Sequence, residues 1–357
     1  MESTGVYWFP VYAALEGSFD LTVANATHLK KVPGRKTDLS DADWIAQCLS
    51  CGLLRKSFIP DQAIRELRVL FRHRTTLVQH RATLVNRLFK DLESAGIKLS
   101  NVLSDLQGKS GMAMLHALVK GDQSPAQIAA LALGRLKAKK PLIEQALATK
   151  LSPSLRFVLG EHLEELERTK QKVEALDAKF ATESEPYEAT LVLLESIPGV
   201  KRVGASGILA EVGASVEAFA NEKAFASWTG TTPGQNESGG KKKAAGVKKG
   251  NLKMTSLLVE LAWGAVRTKG TQWGRVFRKL SAKRGPKRAI LAVARRMAEA
   301  VYLVLKTGQP WKEPEQGLHP SARQAEIRRL QRQLKKLEAA AAADLTPARQ
   351  PSLQRGA

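Results

Sequence analysis

The sequence predicts an α/β N-terminal fragment followed by a mainly α-helical remainder. Three observations lead to this prediction. First, the residues before position 60 predict a strand, a loop and a helix in that order. Second, two later segments carry apolar residues three and four positions apart, the spacing of a helix. Third, a Pro-Gly turn precedes a block of predicted C-terminal helices. We divide the 357 residues into four segments, 1–60, 61–185, 186–307 and 308–357.

The first segment contains the α/β unit. The apolar spacing in residues 4–15 predicts a short helix, and the alternation of apolar and polar residues in 19–24 predicts a strand. The chain is then broken at Pro33-Gly34, and Thr37 is a candidate N-cap for a helix that continues through Leu49. Strand, loop and helix in this order are typical of an α/β fold.

The second segment contains two long helices. From Ile64 to Leu92 the apolar residues keep helical spacing, and arginines occupy the other faces. Residues 100–153 predict short helices separated by glycine and proline, and from Leu159 to Phe180 the apolar spacing is again three and four. We prefer an antiparallel hairpin of the two long helices, and a coiled coil between two chains is the alternative.

The third segment predicts a helix-hairpin-helix followed by more helices. Residues 194–212 read as two helices joined at Pro198-Gly199, a form that presents backbone N–H groups to phosphate, although a plain helical turn also favours Pro-Gly. A glycine-rich stretch then precedes a helical block over 252–305, which is cut at Gly270 and Gly285-Pro286. The fourth segment predicts one more amphipathic helix, with Ile327, Leu330, Leu334 and Leu337 on its apolar face.

Positive charge is concentrated in the C-terminal half. The formal net charge is +22, yet residues 1–60 hold six basic and six acidic residues, whereas residues 236–307 hold eighteen basic residues and three acids. Such a distribution is typical of nucleic-acid binding, because each cation near a phosphate releases condensed counterions. The side chains that we expect to contact phosphates are Lys201, Arg202, Lys241, Lys242, Lys243, Lys248, Lys249, Lys253, Arg267, Lys269, Lys287 and Arg288.

The same composition argues against a membrane protein. No stretch approaches the roughly 18 consecutive apolar residues that a membrane span needs, since the best candidate, residues 257–266, contains Glu260. The N-terminus carries Glu2 where a signal peptide would be basic. We therefore expect a cytoplasmic protein that binds a polyanion and no membrane.

Asp38 and Asp41 are the candidate metal ligands. They lie three positions apart at the start of a predicted helix, so that their β-carbons come within about 5–6 Å on one face, a spacing that suits one divalent cation. Acidic residues are also favoured in a first helical turn by the helix dipole. Spacing alone leaves both interpretations open, and it does not place Glu2.

Ser238 is the candidate nucleophile. It lies in the sequence Asn236-Glu237-Ser238-Gly239-Gly240-Lys241, which we expect to be a flexible loop among positive charges. A serine that attacks a phosphate there would have its developing charge stabilised. Serines are common in glycine-rich loops, so this observation alone does not establish a role.

Short motifs extend the interpretation when they are taken in order along the chain. They are 2–8 (ESTGVYW), 32–42 (VPGRKTDLSDA), 52–54 (GLL), 197–200 (IPGV), 226–230 (ASWTG), Pro233, 237–241 (ESGGK), 249–251 (KGN), 262–263 (AW), 267–270 (RTKG) and 287–289 (KRA). This series closely resembles the DEDD transposases of bacterial insertion sequences of the IS one-ten group. The resemblance covers roughly residues 1–60 and 190–305.

The resemblance implies a RuvC-like, RNase H-type N-terminal domain and a C-terminal transposase domain with a nucleophilic serine. In that family Glu2 would be the second of four carboxylates, Asp38 and Asp41 the third and fourth, and Ser238 the serine. The carboxylates would bind Mg²⁺. The family recombines DNA through a phosphoserine step, guided by an element-encoded bridge RNA, in a homo-oligomer where the two domains meet between protomers.

The start of the chain departs from the family pattern. The first aspartate of the family lies on an opening strand several dozen residues before the position of Glu2, whereas this sequence begins at Met1. We expect the opening strands and one carboxylate to be missing, either because the true start lies upstream or because this is a decayed copy.

Three functions remain open at this point. The first is a Mg²⁺- and serine-dependent DNA transposase, the second an inactive, truncated remnant that only binds nucleic acid, and the third a RuvC-like junction nuclease that needs no serine.

Overall fold

The structure of the protein is a computed structural model. It describes residues 1–3, 5–25, 38–103, 105–234, 237–242, 246–248, 250–313, 327, 328, 330–334 and 337, and for residues 38–41, 238, 241 and 242 it describes the backbone alone. Helices dominate the described residues, as the sequence predicts for the chain beyond residue 60.

Two helices of the first segment are confirmed. Helix α1 spans Trp8–Leu15 and helix α2 spans Asp38–Ser50. The predicted N-cap of α2, Thr37, lies outside the described residues.

The predicted strand over 19–24 forms no ladder in the described structure. Phe19 and Ala24 each take part only in isolated bridges, Ala24 lying between Glu2 on one side and Lys56 on the other. The backbone N–H of Ser3 donates to Ala24 O at 2.9 Å, and the N–H of Ser57 donates to Val23 O at 2.8 Å. A strand needs partners aligned over several residues, so the described residues leave the predicted RuvC-like sheet unconfirmed.

The two long helices form the antiparallel hairpin that the sequence predicts. Helix α3 spans Gln62–Ser94, and the later long helix spans Pro153–Glu183. The rings of Phe71 and Phe180 meet edge to face with centroids 6.0 Å apart. Farther along, His162 Nε2 lies 3.4 Å from Asp91 Oδ2. Residue numbers rise on one helix while they fall on the other, so the helices run antiparallel within one chain.

Short helices separate these two long ones, also as predicted. They are a 3₁₀ turn at Leu99–Asn101, α4 at Lys109–Lys120, α5 at Pro125–Ala130, a 3₁₀ turn at Gly134–Lys139 and α6 at Lys140–Ala146, and the long helix Pro153–Glu183 is therefore α7. Their apolar side chains enclose a middle core together with α3 residues 84–92 and α7 residues 159–166.

The described residues of the C-terminal part form six α-helices, one 3₁₀ turn and one hairpin of two β-strands. They are a 3₁₀ turn at Glu185–Tyr187, α8 at Glu188–Glu195, α9 at Arg202–Val212, α10 at Glu222–Trp228, β1 at Glu237–Ser238, β2 at Lys241–Lys242, α11 at Leu252–Arg267, α12 at Gln272–Arg284 and α13 at Pro286–Thr307. The breaks at Gly270 and at Gly285-Pro286 are confirmed.

Helix α9 is the centre of the C-terminal core. All its residues from Gly204 to Val212 are buried. Two glycines permit this close packing: a β-carbon at Gly204 would lie 2.5 Å from Leu261, and one at Gly207 would lie 2.6 Å from Phe71. Because Phe71 belongs to α3, the long helix contributes to both cores, and the four-segment division stays a prediction.

None of the described helices is long and apolar enough to cross a membrane. In the fourth segment, residues 327, 328, 330–334 and 337 are helical. The predicted apolar face is exposed there, from 47% at Ile327 to 69% at Leu337.

Candidate functional site

The glycine-rich stretch around Ser238 folds as a β-hairpin in its described residues, which corrects the expectation of a flexible loop. At the base, Asn251 N donates to Trp228 O at 2.8 Å and Lys248 N donates to Thr232 O at 2.9 Å. Higher up, Gly234 N donates to Gly246 O at 2.7 Å. At the tip, β1 and β2 pair antiparallel with Ser238 opposite Lys241.

Ser238 lies directly before the turn of this hairpin. Gly239 and Gly240 have φ angles of +57° and +73°, the left-handed pair that a two-residue type I′ turn requires. Glycine adopts these angles without steric cost, which explains the Gly-Gly pair here. The backbone therefore places Ser238 next to a turn at which a β-carbon on either glycine would meet no other atom within 4 Å.

The base of the hairpin is closely packed. A β-carbon at Gly250 would lie 2.5 Å from Trp228 O and 2.6 Å from the Cα of Gly230, so the two backbone segments cross in contact. Thr255 Oγ1 donates to Thr229 O at 2.5 Å, which joins the crossing to α11. Only residues without a side chain fit this crossing, and it fixes where the hairpin leaves the core.

A buried carboxylate anchors the same base. Glu211, whose side chain is 3% exposed, accepts two hydrogen bonds from Arg72 at 2.8 and 2.9 Å and one from Asn251 Nδ2 at 2.9 Å. Asn251 Oδ1 in turn accepts from the backbone N–H of Lys253 and of Met254 and so caps α11. Glu211 thus connects α3, α9 and the last residue of the hairpin base.

Arg68 completes this buried cluster. Its guanidinium donates to Ala210 O at 3.1 Å and to Glu211 O at 2.7 Å, two carbonyls in the last turn of α9 that lack helical partners. Burial lowers the pKa of Arg68 to about 10, against the opposing effect of Glu211, and the side chain still carries its charge at neutral pH. The cluster holds two cations and one anion beneath the hairpin.

The two helices predicted around Pro198-Gly199 are present as α8 and α9. Gly199 has a φ of +93°, and a β-carbon there would lie 2.7 Å from backbone atoms of Ala265 in α11. The turn between the two helices is therefore held against α11. Glycine is required at this position both by the backbone angle and by the lack of space.

The two basic residues at this turn differ in their surroundings. Lys201 is exposed at the N-terminus of α9. Arg202 donates to Glu188 at 3.0 and 2.5 Å and lies 3.2 Å from Glu195. The hydrogen bonds with Glu188 raise the pKa of Arg202. A phosphate that binds Arg202 must therefore displace the carboxylates of Glu188 and Glu195. The sequence alone did not reveal this pairing.

The other predicted phosphate contacts are exposed where their side chains are described. Lys248 Nζ donates to Ser227 Oγ at 2.8 Å. The remaining exposed members of the set are Lys253, Arg267, Lys269, Lys287 and Arg288. The side chains of Lys241, Lys242, Lys243 and Lys249 lie outside the described residues.

The predicted metal ligands are described only in part. Glu2 is half-buried, and its backbone lies beside Ala24. Asp38 is the first residue of α2 and Asp41 follows one turn later, but the side chains of both lie outside the description. In the described residues there is no group of three or more His, Cys, Asp or Glu that could hold a metal ion. The metal site therefore stays a prediction.

Sequence reasoning missed the anchoring role of Glu211. The available signal was one acid in the otherwise apolar and small-residue run over 203–212, because a lone carboxylate on a buried helix face needs a partner. Its partners lie at positions 72 and 251. Local sequence patterns do not connect positions so far apart.

Comparisons with known proteins agree with the resemblance noted above. Residues 191–278 match the Transposase IS116/IS110/IS902 family, and residues 1–96 match the DEDD transposase family of IS110. The chain is also similar to the transposase for insertion sequence element IS1111A of Coxiella burnetii (strain RSA 493 / Nine Mile phase I). The two are 22% identical over 316 residues, which cover 86% of this chain and 76% of that protein.

Proposed function

Because the chain belongs to the IS110 family of insertion-sequence transposases, we propose that it recombines DNA by a serine-dependent phosphoryl transfer. The observation that supports this proposal is the position of Ser238, directly before the exposed Gly239-Gly240 turn of a β-hairpin. A nucleophile next to an exposed turn can reach a phosphate of a wide polymer that does not fit into a pocket.

In the proposed step, Ser238 Oγ attacks a DNA phosphorus atom. The Oγ–P bond forms while one P–O ester bond breaks, and the leaving oxygen takes the electron pair of that bond. The proton lost from the Ser238 hydroxyl balances the one that the leaving oxygen gains, so a phosphoserine and a free DNA hydroxyl result. Attack of a second DNA hydroxyl on the phosphoserine reverses the chemistry and joins new ends. Three lysines at or next to the tip, Lys241, Lys242 and Lys243, supply positive charge for the phosphoryl oxygens.

We assign Glu2, Asp38 and Asp41 to a Mg²⁺ site. Carboxylate oxygens are the ligands that this hard cation prefers, and Asp38 and Asp41 lie one turn apart at the start of α2, which puts them on one face. A bound Mg²⁺ supplies positive charge that stabilises phosphoryl oxygens. The neutral charge of residues 1–60 makes such a cation necessary for these acids to approach DNA.

DNA, an element-encoded bridge RNA and further copies of the chain are the proposed partners, in the cytoplasm at the nucleoid. The exposed cations of the C-terminal segment contact phosphates of either nucleic acid, while base pairing with the RNA chooses the sequence. The homo-oligomer brings the carboxylates of one protomer to the serine of another.

A strand-transfer assay with Ser238→Ala tests the serine. The purified full chain is incubated with Mg²⁺, the bridge RNA encoded by its element and labelled donor and target DNA. We expect recombinant product with the natural chain, and a loss of at least about 10³-fold with Ser238→Ala, because the nucleophile is absent.

Ser256→Ala is the matched control, since Ser256 is an exposed serine on α11 and should not affect the product. Asp38→Asn and Asp41→Asn should lower product formation as strongly as removal of Mg²⁺ does. Cleavage that persists in Ser238→Ala would show a junction nuclease instead. A natural chain that binds DNA without forming product under any of these conditions would show a binding remnant.

A further inference from the structure

A cleft lies between the first segment and the base of the Ser238 hairpin. It has a volume of about 900 Å³. One wall comes from Tyr12 of α1 and from residues 25 and 55–59. The other comes from residues 218, 219, 224, 227, 228, 248, 250 and 251. The metal ligands and the serine assigned above are not among its described lining residues.

Three cations line this cleft from both walls. Arg55 and Lys56 lie on the first wall and Lys248 on the second, and none of the described lining residues is acidic. The hydrogen bond from Lys248 Nζ to Ser227 Oγ holds that ammonium group at the wall. Lys56 pairs with Asp20 at 2.9 Å, but this aspartate side chain is 90% exposed, so a phosphate can displace it at little cost. The cleft is therefore suited to an anion with more than one charged group.

Aromatic rings lie beside these cations. Trp228 is half-buried and packs against three rings, with centroid distances of 5.4 Å to Phe58, 5.2 Å to Phe219 and 5.8 Å to Phe225. Tyr12 lines the opposite wall, where the guanidinium of Arg65 lies 5.4 Å from its ring centre. Packing on several sides fixes the orientation of both rings, so each offers a rigid apolar surface to a flat ligand.

Cations and fixed aromatic rings together are the chemistry of single-strand recognition. Phosphates bind the cations, while bases stack on aromatic side chains with about 1–3 kcal/mol per base. A volume of about 900 Å³ is that of a small-molecule pocket, and it cannot hold a duplex, in which the bases are paired and covered by two backbones. An unpaired strand has free base faces that can reach the rings.

We propose that this cleft binds one or two nucleotides of a single-stranded polynucleotide, with phosphates at Arg55, Lys56 and Lys248 and a base against Trp228 or Tyr12. The inference rests on the proposed function in that it takes nucleic acid as the substrate. It adds a binding site for the unpaired strand that recombination exposes.

The cleft and the hairpin share residues. Lys248, Gly250 and Asn251 belong to both the second wall and the hairpin base. Ser238 lies six residues along the chain from Thr232 at the base, so at most about 20 Å of chain separates them. A strand held in the cleft therefore lies at the base of the hairpin that carries the candidate nucleophile.

Binding of labelled single strands tests the proposal. Fluorescence anisotropy is measured on the full chain with an oligothymidylate and with an oligouridylate, each with and without unlabelled duplex DNA. The double variant Arg55→Gln/Lys248→Gln should weaken single-strand binding by about tenfold or more. It should also reduce the slope of log K against log salt by about 1.4, because two phosphate contacts to a single strand are lost.

Lys279→Gln/Arg284→Gln is the matched control, because it removes the same charge from exposed positions of α12. It should change single-strand affinity by no more than about threefold, within the range of a general charge effect. An equal loss of single-strand affinity in the two double variants would overturn the proposal. Complete displacement of the labelled single strand by duplex DNA would also overturn it. Preference for the DNA or for the RNA strand identifies the natural occupant, and either result supports the site.

Photo-cross-linking gives a second readout that does not depend on substitutions. An oligonucleotide containing 5-iodouridine is irradiated on the natural full chain, and the modified peptide is identified by mass spectrometry. Cross-links at Trp228 or Tyr12 support the site, and cross-links only elsewhere overturn it. Neither readout requires strand transfer, so the two proposals can fail separately. The binding experiments can exclude the cleft as a single-strand site even if Ser238 is essential for recombination. They can also confirm the cleft even if Ser238→Ala leaves recombination intact.

Discussion

At the scale of single residues, Glu211 decides how the candidate site is supported. Its carboxylate binds Arg72 and Asn251 while it is almost fully buried. A buried carboxylate is stabilised by the cations and hydrogen-bond donors that contact it. Removing either the carboxylate or one of these partners leaves a buried polar or charged group without compensation. Its loss leaves Arg68 and Arg72 as two neighbouring cations without their common anion.

We predict that Glu211→Ala lowers the free energy of unfolding by about 3–5 kcal/mol, as expected for breaking a buried ion pair. Glu211→Gln should cost less, since its amide can still accept one hydrogen bond. Urea denaturation followed by circular dichroism measures both. Glu217→Ala, at an exposed position six residues later, should stay within about 0.5 kcal/mol. A cost for Glu211→Ala as small as that of the control would contradict the anchoring role.

Gly250 is a second position at which close contacts with the backbone require a specific amino acid, glycine. A methyl group there would collide with backbone atoms of Trp228 and Gly230, and backbone cannot give way as a side chain can. We predict that Gly250→Ala displaces the hairpin and destabilises the protein by about 1–3 kcal/mol. Gly246→Ala is the control, since a β-carbon there meets nothing within 4 Å. Thermal unfolding measures the stability of both variants. Equal unfolding temperatures for Gly250→Ala and Gly246→Ala would contradict the close contact between the backbone at Gly250 and the backbone at Trp228 and Gly230.

At the scale of elements, the antiparallel pairing of α3 and α7 follows from apolar faces that the sequence displays. The spacing of apolar residues predicted both helices, while the choice between a hairpin and a coiled coil between chains stayed open. Ring and charge contacts between position 71 and 180, 74 and 177, and 91 and 162 resolve it in favour of the hairpin. Periodicity shows which face is apolar but not which helix covers it.

The pair Arg74 and Asp177 tests this arrangement. A double-mutant cycle with alanine at both positions should give a coupling of about 0.5–1 kcal/mol, the range for a partly exposed ion pair. The coupling should be the same at low and high protein concentration, because the contact lies within one chain. Arg74 paired with Glu161 is the control without contact, since Glu161 lies sixteen residues, or about 24 Å, from Asp177 along α7. Coupling that appears only at high concentration would indicate the coiled coil between chains.

The hairpin of Ser238 is the element that sequence analysis missed. Its paired residues are Glu237 and Ser238 with Lys242 and Lys241, and this polar set lacks the alternating apolar pattern of a strand. The Gly239-Gly240 pair was the local signal, because two adjacent glycines suit a type I′ turn. The hairpin forms because its base is held by contacts with Thr255 and Asn251 rather than by the strands themselves.

At the scale of the whole molecule, positive charge and two hydrophobic cores are arranged along one long helix. Helix α3 contributes Ile64, Leu67 and Phe71 to the C-terminal core and Leu84, Val85, Leu88 and Leu92 to the middle core. Helices α11, α12 and α13, which carry most of the described cations of the basic segment 236–307, contribute side chains to the C-terminal core. We therefore expect a polyanion to bind mainly at that half of the molecule.

The charge distribution predicts a steep salt dependence of DNA affinity. If six phosphates are contacted, Kd should rise by about 10³-fold between 50 and 200 mM salt, because each contact releases bound counterions. Titration of a labelled duplex at four salt concentrations measures the slope. The same titration with a mixed-charge protein of similar size is the control for general ionic effects. A slope near zero would contradict binding through the basic segment.

The long helices, the breaks between the C-terminal helices and the charge distribution are predictable from the amino-acid sequence. These features depend on neighbouring residues or on composition: the spacing over 62–94, the interruptions at Gly270 and Gly285-Pro286, and the excess of lysine and arginine in 236–307 can all be read without a fold. The motif order identified the family for the same reason, since short motifs around Asp38 and Ser238 survive in the primary structure. Their side-chain roles remain predictions.

The contacts between residues that are far apart in the chain become visible in the folded structure and not in the sequence. It joined Glu211 to Arg72 and Asn251, crossed Gly250 over Gly230, and placed Arg55 opposite Lys248 across a cleft. Such contacts depend on how whole helix faces pack, and packing is a property of the complete set of apolar surfaces rather than of any one segment. The same reason applies to the strand expected at residues 19–24, because a strand is stabilised by neighbouring strands from any part of the chain.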